Sequence, residues 1–412
     1  MTSDRNQGLG VALYAAMRYR SQRLLRRMVR IMRGFAPRTV RHAVEGALAV
    51  LWGHPGLLRH RDLSAGLSLR RREPKTLFVG WLLTGGWDDG AARARGLVSH
   101  LHFRQHFRRL AVNSVLLRAP RRDGWNIDLI PADLERIVSA RFDVVVFQGV
   151  HGPGAQQLAR TLRATGTRTI YATGDLCGDA MAGVVDWVVA GSDGLTAIAG
   201  PHRDRCSVIE SVLESPAHLV KDHSEPSRDG KIRVVWVGYP ENLHLLAPVR
   251  AALADPRLSR FELVTISRGP GVTHQWHRRR VWPQLLACDI AVLPSADTDW
   301  YQAKPNTRMV MLKALGLPSI ASPLASYRKT LTHGQSCYFA RTPEEWAAFL
   351  LALSDPTHRR EIGLTDRKKI LETYGVETIN RRWLDLFRQL CADSSSAGTW
   401  TSGGSAGRRA TG

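Results

Sequence analysis

From residue 76 onward the chain alternates short apolar runs with longer segments of mixed polarity. "TLFVGW" at 76, "NSVLLR" at 113, "FDVVVFQ" at 142, "RTIYAT" at 168, "VDWVVA" at 185 and "CSVIE" at 206 each predict a buried strand. Most are separated by helix-length segments such as "GAQQLARTLRATG". Strand–helix alternation predicts a mainly parallel, doubly wound sheet, whose ligands bind beyond the carboxyl ends of the strands. Residues 214–230, "ESPAHLVKDHSEPSRDG", carry two prolines and no apolar period, and predict a linker. The alternation then restarts with "KIRVVWV" at 231, a helix near 242–254, "FELVTIS" at 261, a helix near 279–287, "DIAVLP" at 289 and "PSIAS" at 318. Terminal helices follow from about 343 to 392, and the Gly/Ser/Thr-rich stretch 393–412 predicts a disordered tail. The organisation is an extension (1–75), a first α/β unit (76–213), the linker, a second α/β unit (231–375), a last helix (376–392) and the tail.

The extension has a different texture. Over residues 11–35, Met17, Leu24, Leu25, Met28, Met32 and Phe35 share one helical face, while seven arginines crowd the remainder. Such a basic amphipathic helix either lies on an anionic membrane surface or packs on the protein body with its cationic face in water. Charge sharpens the point. The 412-residue chain has a formal net charge of +22, and residues 1–75 hold sixteen Lys and Arg against four Asp and Glu, a net of +12. That excess predicts an anionic partner. An arginine-rich helix poor in aromatics makes nucleic acid an unlikely one. Hydrophobic content of 44% and charged content of 23% are those of a folded globular protein. Five scattered cysteines without a CxxC pair argue against a disulfide scaffold or a zinc site, and fit a reducing compartment. No stretch approaches the roughly 18 apolar residues of a membrane span, so the expected location is cytoplasmic, peripheral on the inner face of the membrane.

Chemistry concentrates after "DIAVLP". The loop "SADTDWYQAKP" leads into a helix that closes on Gly316 with Pro318 behind it. Pro305 suits its first turn, Asn306 can cap its exposed N–H groups, and Lys304 and Arg308 flank its start. A helix N-terminus with two cations at the carboxyl end of a parallel strand suits a nucleotide diphosphate. The alternative is that both cations are merely solvated.

The stretch "YQAKPNTRMVMLKALGLPSIASPLASY", with the later "PEEW" and "SDPTHRR", resembles the C-terminal half of group 1 bacterial glycosyltransferases of the GT-B type. The resemblance reaches upstream through "TIYATGDLCGD", "VDWVVAGSDGL" and "IRVVWVGYPENLHLL", covering roughly residues 76–390. It implies an α/β fold of two Rossmann-like domains facing across a cleft, here with a basic helical N-terminal extension. The first domain would bind the acceptor and the second a nucleotide-sugar, without metal or cofactor, and the last helix would cross back to the first domain. Lys304, Asn306, Arg308, Gly238 and Asn242 would hold the donor. The chain departs from the family twice. The two glutamates of many retaining members fall on Ala303 and Met311, and Met311 reads equally as core. The cationic pair after "VVWVG" is replaced by Pro240, Glu241 and Asn242.

In the first unit the possible bases at strand ends are Asp88, Asp89, His151 and Asp175. His151 follows "FDVVVFQGV", and Asp175 lies where resembling proteins often carry an acid; these two are the catalytic candidates. Asp88 and Asp89 also suit helix capping. Gly85 and Gly86 would let backbone approach an acceptor, or form an ordinary turn, and Arg93 and Arg95 would meet an acidic acceptor such as a lipid phosphate. The expected function is transfer of a sugar from a nucleotide-sugar to a glycan, polysaccharide or lipid-linked acceptor. The rival is a non-catalytic GT-B-like scaffold that binds glycan or protein. Flotation with anionic liposomes tests the membrane reading: the full chain should float and a variant lacking residues 11–35 should not, and equal flotation would defeat it.

Overall fold

A computed structural model describes residues 61–119, 127, 129, 131–224 and 229–396. The 11–35 segment lies outside the described residues. Two six-stranded sheets, parallel throughout, form the frame.

The first sheet contains β1 (Leu77–Leu83), β2 (Val112–Arg118), β3 (Val144–Gln148), β4 (Arg168–Thr173), β5 (Trp187–Ala190) and β6 (Cys206–Val208), in the order β2-β1-β3-β4-β5-β6. The second contains β7 (Ile232–Val237), β8 (Phe261–Ser267), β9 (His274–Gln275), β10 (Ile290–Leu293), β11 (Ser319–Ala321) and β12 (Tyr338–Phe339), in the order β12-β11-β10-β7-β8-β9. This is the two-unit α/β architecture read from the strand–helix alternation. Every residue of β3 and β10 is buried, because helices cover both faces of each sheet. The two-residue edge strands β9 and β12 had no signature in the pattern.

Helix α1 (Arg61–Arg72) packs on β2, where Asn113 donates to the Gly66 carbonyl at 2.8 Å. Helix α2 spans residues 90–105, and its second turn, Arg93–Leu97, is π-helical. Helix α3 (Pro153–Ala164) follows β3 and buries Ala155, Leu158, Ala159 and Leu162 at the spacing of one helical face. In the second unit the helix expected near 242–254 opens instead as a 3-10 turn, Pro240–Leu246, before Ala247–Ala252. Helix α4 (Thr307–Ala314) follows β10 and ends where Gly316 takes a φ of 73°, a conformation that costs other residues a Cβ clash. Lys313 on α4 is fully buried, and its ammonium donates to the Ile362 and Gly363 carbonyls at 2.5 and 3.0 Å. Helix α5 (Pro343–Ala352) opens on a reciprocal capping box between Thr342 and Glu345.

Residues between the units are tied to the second sheet. The Lys221 N–H donates to the Leu315 carbonyl at 2.7 Å, and the His223 ring to the Gly316 carbonyl at 2.9 Å. Helices α6 (Arg367–Tyr374) and α7 (Val376–Ser396) close the chain. Helix α7 lies on the first sheet: Trp383 and Phe387 meet the Trp81 ring of β1 edge-on, at 5.1 and 6.0 Å between centroids. It runs four residues into the stretch read as a tail, and 397–412 lie outside the described residues. Among the described residues no helix is long and apolar enough to cross a membrane.

Because Trp383 and Phe387 both fill the face between α7 and β1, Phe387→Ala should cost about 3–5 kcal/mol. Urea unfolding should show the loss as a lower midpoint at unchanged slope, and a cost under 1 kcal/mol would deny that α7 is part of the first unit's core.

Candidate functional site

Both sheets present the carboxyl ends of their strands to one cleft. The strand order reverses between β1 and β3 in the first sheet and between β7 and β10 in the second, the positions where doubly wound sheets open a crevice. A cavity of about 320 Å³ fills that space. Its walls come from the start of α2, the segment after β4 and residues 211–214 on one side. On the other side stand the segments after β7 and β8 and the entry to α4.

Helix α4 delivers the cations as the loop and proline predict. Lys304 and Arg308 both face the cavity, with Pro305 and Thr307 between them. Arg308 donates to the Val237 carbonyl at 3.3 Å, which ties the helix start to the end of β7. Lys304 reaches across the cleft to the Asp175 carboxylate and lies over the Trp300 ring at 4.5 Å. Burial and the Arg308 charge push Lys304 down to about 8. Gly238, Asn242, Arg93 and Arg95 also line the cavity, so seven of the eleven residues singled out from the sequence share one site.

The other four do not line it. Asn306 is buried, and its amide donates to Thr330 Oγ1 and the Tyr374 hydroxyl, both at 2.7 Å. Its side chain makes no cap bond to α4, so it fixes the helix start to α6 rather than facing an anion. His151 sits behind the cavity wall against Gly178, where burial lowers its pKa. Gly86 lies against the Arg118 guanidinium, which donates to the Gly85 carbonyl at 3.3 Å, so the glycine pair forms the turn into α2. Gly85 borders only a small side pocket of about 20 Å³. Asp89 caps α2 by accepting from the Ala92 N–H at 2.9 Å, while Asp88 faces the cavity.

The positions of the two missing glutamates differ in kind. Met311 borders the cavity and also packs against the second core. Ala303 is sealed between lobes: its carbonyl accepts from Ser192 Oγ at 2.5 Å, and a Cβ on Gly194 would stand 2.8 Å from its Cα.

Part of the wall lies outside the residues singled out from the sequence. The segment "RGPGVTHQWHRRR" after β8 places Arg268, Trp276 and Arg278 in the cavity. Trp276 lies between two guanidinia, Arg93 at 4.8 Å and Arg268 at 4.9 Å from its ring centroid. Arg278 covers Trp87 at 4.6 Å, and Arg268 donates to the Asp88 carbonyl. The clue was present, a cluster of Arg, Gly and Trp directly after a strand of the second unit. Tyr239 accepts from the Gly90 N–H at 2.9 Å, another bond between lobes. Glu214, raised by burial, is held by Arg93 at 2.7 Å. Among the described residues six lining side chains are Arg or Lys and three are Asp or Glu, so the cavity favours an anion.

Two facing Rossmann-like domains with this cleft are the GT-B fold. The chain is similar to HepE from Anabaena in complex with UDP and glucose, at 12% identity and a TM-score of 0.57, covering 75% of this chain and 99% of that one. It is similar to sucrose-phosphate synthase from Thermosynechococcus elongatus, at 14% identity and a TM-score of 0.57, covering 77% and 100%. It is also similar to the lipopolysaccharide outer core galactosyltransferase WaaB in its apo form, at 12% identity and a TM-score of 0.53, covering 77% and 100%. At such identities the likeness is one of fold. No family model matches the chain, and no curated protein does.

Asp175 is paired with Lys304 across the cleft. Calorimetry with inorganic pyrophosphate should therefore show Asp175→Asn binding about tenfold tighter than wild type and Lys304→Ala at least about tenfold weaker. Weaker binding by Asp175→Asn would mean that the carboxylate orients the lysine instead of competing for it.

Proposed function

We propose that this protein is a glycosyltransferase that binds a nucleotide-sugar in the cleft and transfers the sugar to a glycan, polysaccharide or lipid-linked acceptor. The observation that carries the reading is the cationic cavity at the start of α4, where Lys304 and Arg308 face a space walled by both lobes. The GT-B fold supports it, as does the similar structure of HepE in complex with UDP-glucose. Among cavity-lining groups, the Trp282 ring offers a flat apolar face to a nucleobase, and Lys304 and Arg308 offer charge to the diphosphate.

In the transfer, the acceptor hydroxyl oxygen bonds to the anomeric carbon while the bond from that carbon to the phosphate oxygen breaks. The nucleoside diphosphate leaves with the electron pair, and its growing charge falls to the helix start and the two cations. This arrangement supplies, without a metal, the stabilisation a metal would give. Inversion assigns the hydroxyl proton to Asp175, the lining carboxylate beside Lys304; retention assigns it to the departing phosphate. The basic segment 11–35 would hold the enzyme at an anionic membrane surface, facing lipid-linked or envelope acceptors.

One observation favours a second reading, a glycan-binding scaffold without turnover: neither Ala303 nor Met311 supplies a carboxylate to a donor ribose. Release of UDP from a panel of UDP-sugars separates the two. The enzyme reading expects release from at least one of them, and Lys304→Ala and Arg308→Ala should each lower kcat/KM by about 10²–10³-fold. Absence of both binding and turnover across nucleotide-sugars would leave the scaffold.

A further inference from the structure

We infer that Arg95 forms a second anion-binding subsite on the first-lobe wall of the cleft, made for the phosphate or carboxylate of an acidic acceptor. The word acceptor rests on the glycosyl-transfer reading; the subsite rests on the surroundings of Arg95.

Arg95 is 4% exposed, yet it borders the cavity. Its Nε and Nη2 find no hydrogen-bond partner among the described residues, and its Nη1 reaches only the Ile209 carbonyl, at 3.5 Å. A guanidinium withdrawn from water normally has its N–H groups paired, since burying it bare is costly. Neighbouring groups are already spent. Glu210, the acid that acts on Arg95, is bonded to Arg382 of α7. The Tyr171 hydroxyl donates to the Cys177 carbonyl at 2.8 Å.

Two further features fit a built site. Arg95 sits in the π-helical turn of α2, a distortion that recurs at functional sites because it re-aims side chains. The guanidinium lies beside Gly174 and Gly191, at the carboxyl ends of β4 and β5. A Cβ on Gly191 would stand 2.4 Å from Nη1, and one on Gly174 would stand 3.3 Å from Cδ. At Gly191 a side chain would displace the guanidinium. Arg93, two residues away, is held by Glu214, whereas Arg95 has no acid bonded to it. Lys304 and Arg308 belong to the opposite lobe. The cleft thus carries Lys304 and Arg308 on one wall and, on the other, a guanidinium with two unpaired N–H groups.

The test uses the full chain with Lys304→Ala and Arg308→Ala already in place, so that anion binding at α4 is removed. Methyl phosphate and glucuronate are titrated by calorimetry as the phosphate and carboxylate probes. At least one should bind, and Arg95→Gln in the same background should weaken it at least tenfold. Gly191→Ala, which pushes a methyl group into the guanidinium, should do the same and stands in if Arg95→Gln does not fold. No binding of either probe, or binding that survives both changes, overturns the subsite and leaves Arg95 a structural group. A parallel titration of wild type with UDP reads the donor proposal separately: UDP without effect, but probe binding lost with Arg95, would sink the donor proposal alone.

Discussion

Positive charge held out of water without enough negative charge beside it is the constraint on which this structure turns. Six cations face a cleft that offers three carboxylates. Arg93 is neutralised by Glu214 and Lys304 by Asp175, while Arg268 and Arg278 lie on tryptophan faces. Arg308 has a carbonyl, and Arg95 has almost nothing. Charges in a partly desolvated space repel with little screening, so the arrangement is at its most favourable when an anion fills it. The lowered pKa of Lys304, to about 8, is the same deficit seen from one residue.

The fold exists to hold those groups in register. Two parallel sheets direct their carboxyl ends at each other, and the loops that leave those ends carry nearly every lining side chain. Cross-lobe bonds fix the distance between the walls: Gly90 to Tyr239, Thr307 to Ser211 at 3.0 Å, and Ser192 to Ala303. Helix α7 returns to the first sheet and joins its core through Trp383 and Phe387, so the lobes are linked at both ends of the second unit. Polar contacts in the cleft and apolar contacts behind it therefore do different work. The first can rearrange around a ligand, and the second keep the lobes paired while they do.

The frame was legible in the sequence because parallel strands are buried on both faces and appear as unbroken apolar runs. "VVVF" and "IAVL" could be little else. The edge strands β9 and β12 were not legible, since two residues carry no period. Lys304 and Arg308 could be placed at the cleft because a proline, a glycine stop and a preceding strand fix the start of α4. Asn306 beside them was misread: its partner Tyr374 is 68 residues further along the chain, and no local pattern reports a bond of that range. His151 does not line the cavity, for a related reason. A strand-end position says that a residue is near the cleft, but the Gly178 turn decides on which side of the wall its ring lies. Arg268, Trp276 and Arg278 were missed because loop segments have no periodicity to mark them, and only their composition hinted at a site.

The central claim is that the anionic part of a nucleotide belongs at the start of α4, between Lys304 and Arg308. A crystal structure grown with a nucleoside diphosphate tests it most directly. The account predicts phosphate density within hydrogen-bonding distance of both side chains, with Lys304 drawn away from Asp175. Nucleotide bound elsewhere, or a cleft still bridged by Lys304 and Asp175 at saturating ligand, would contradict it.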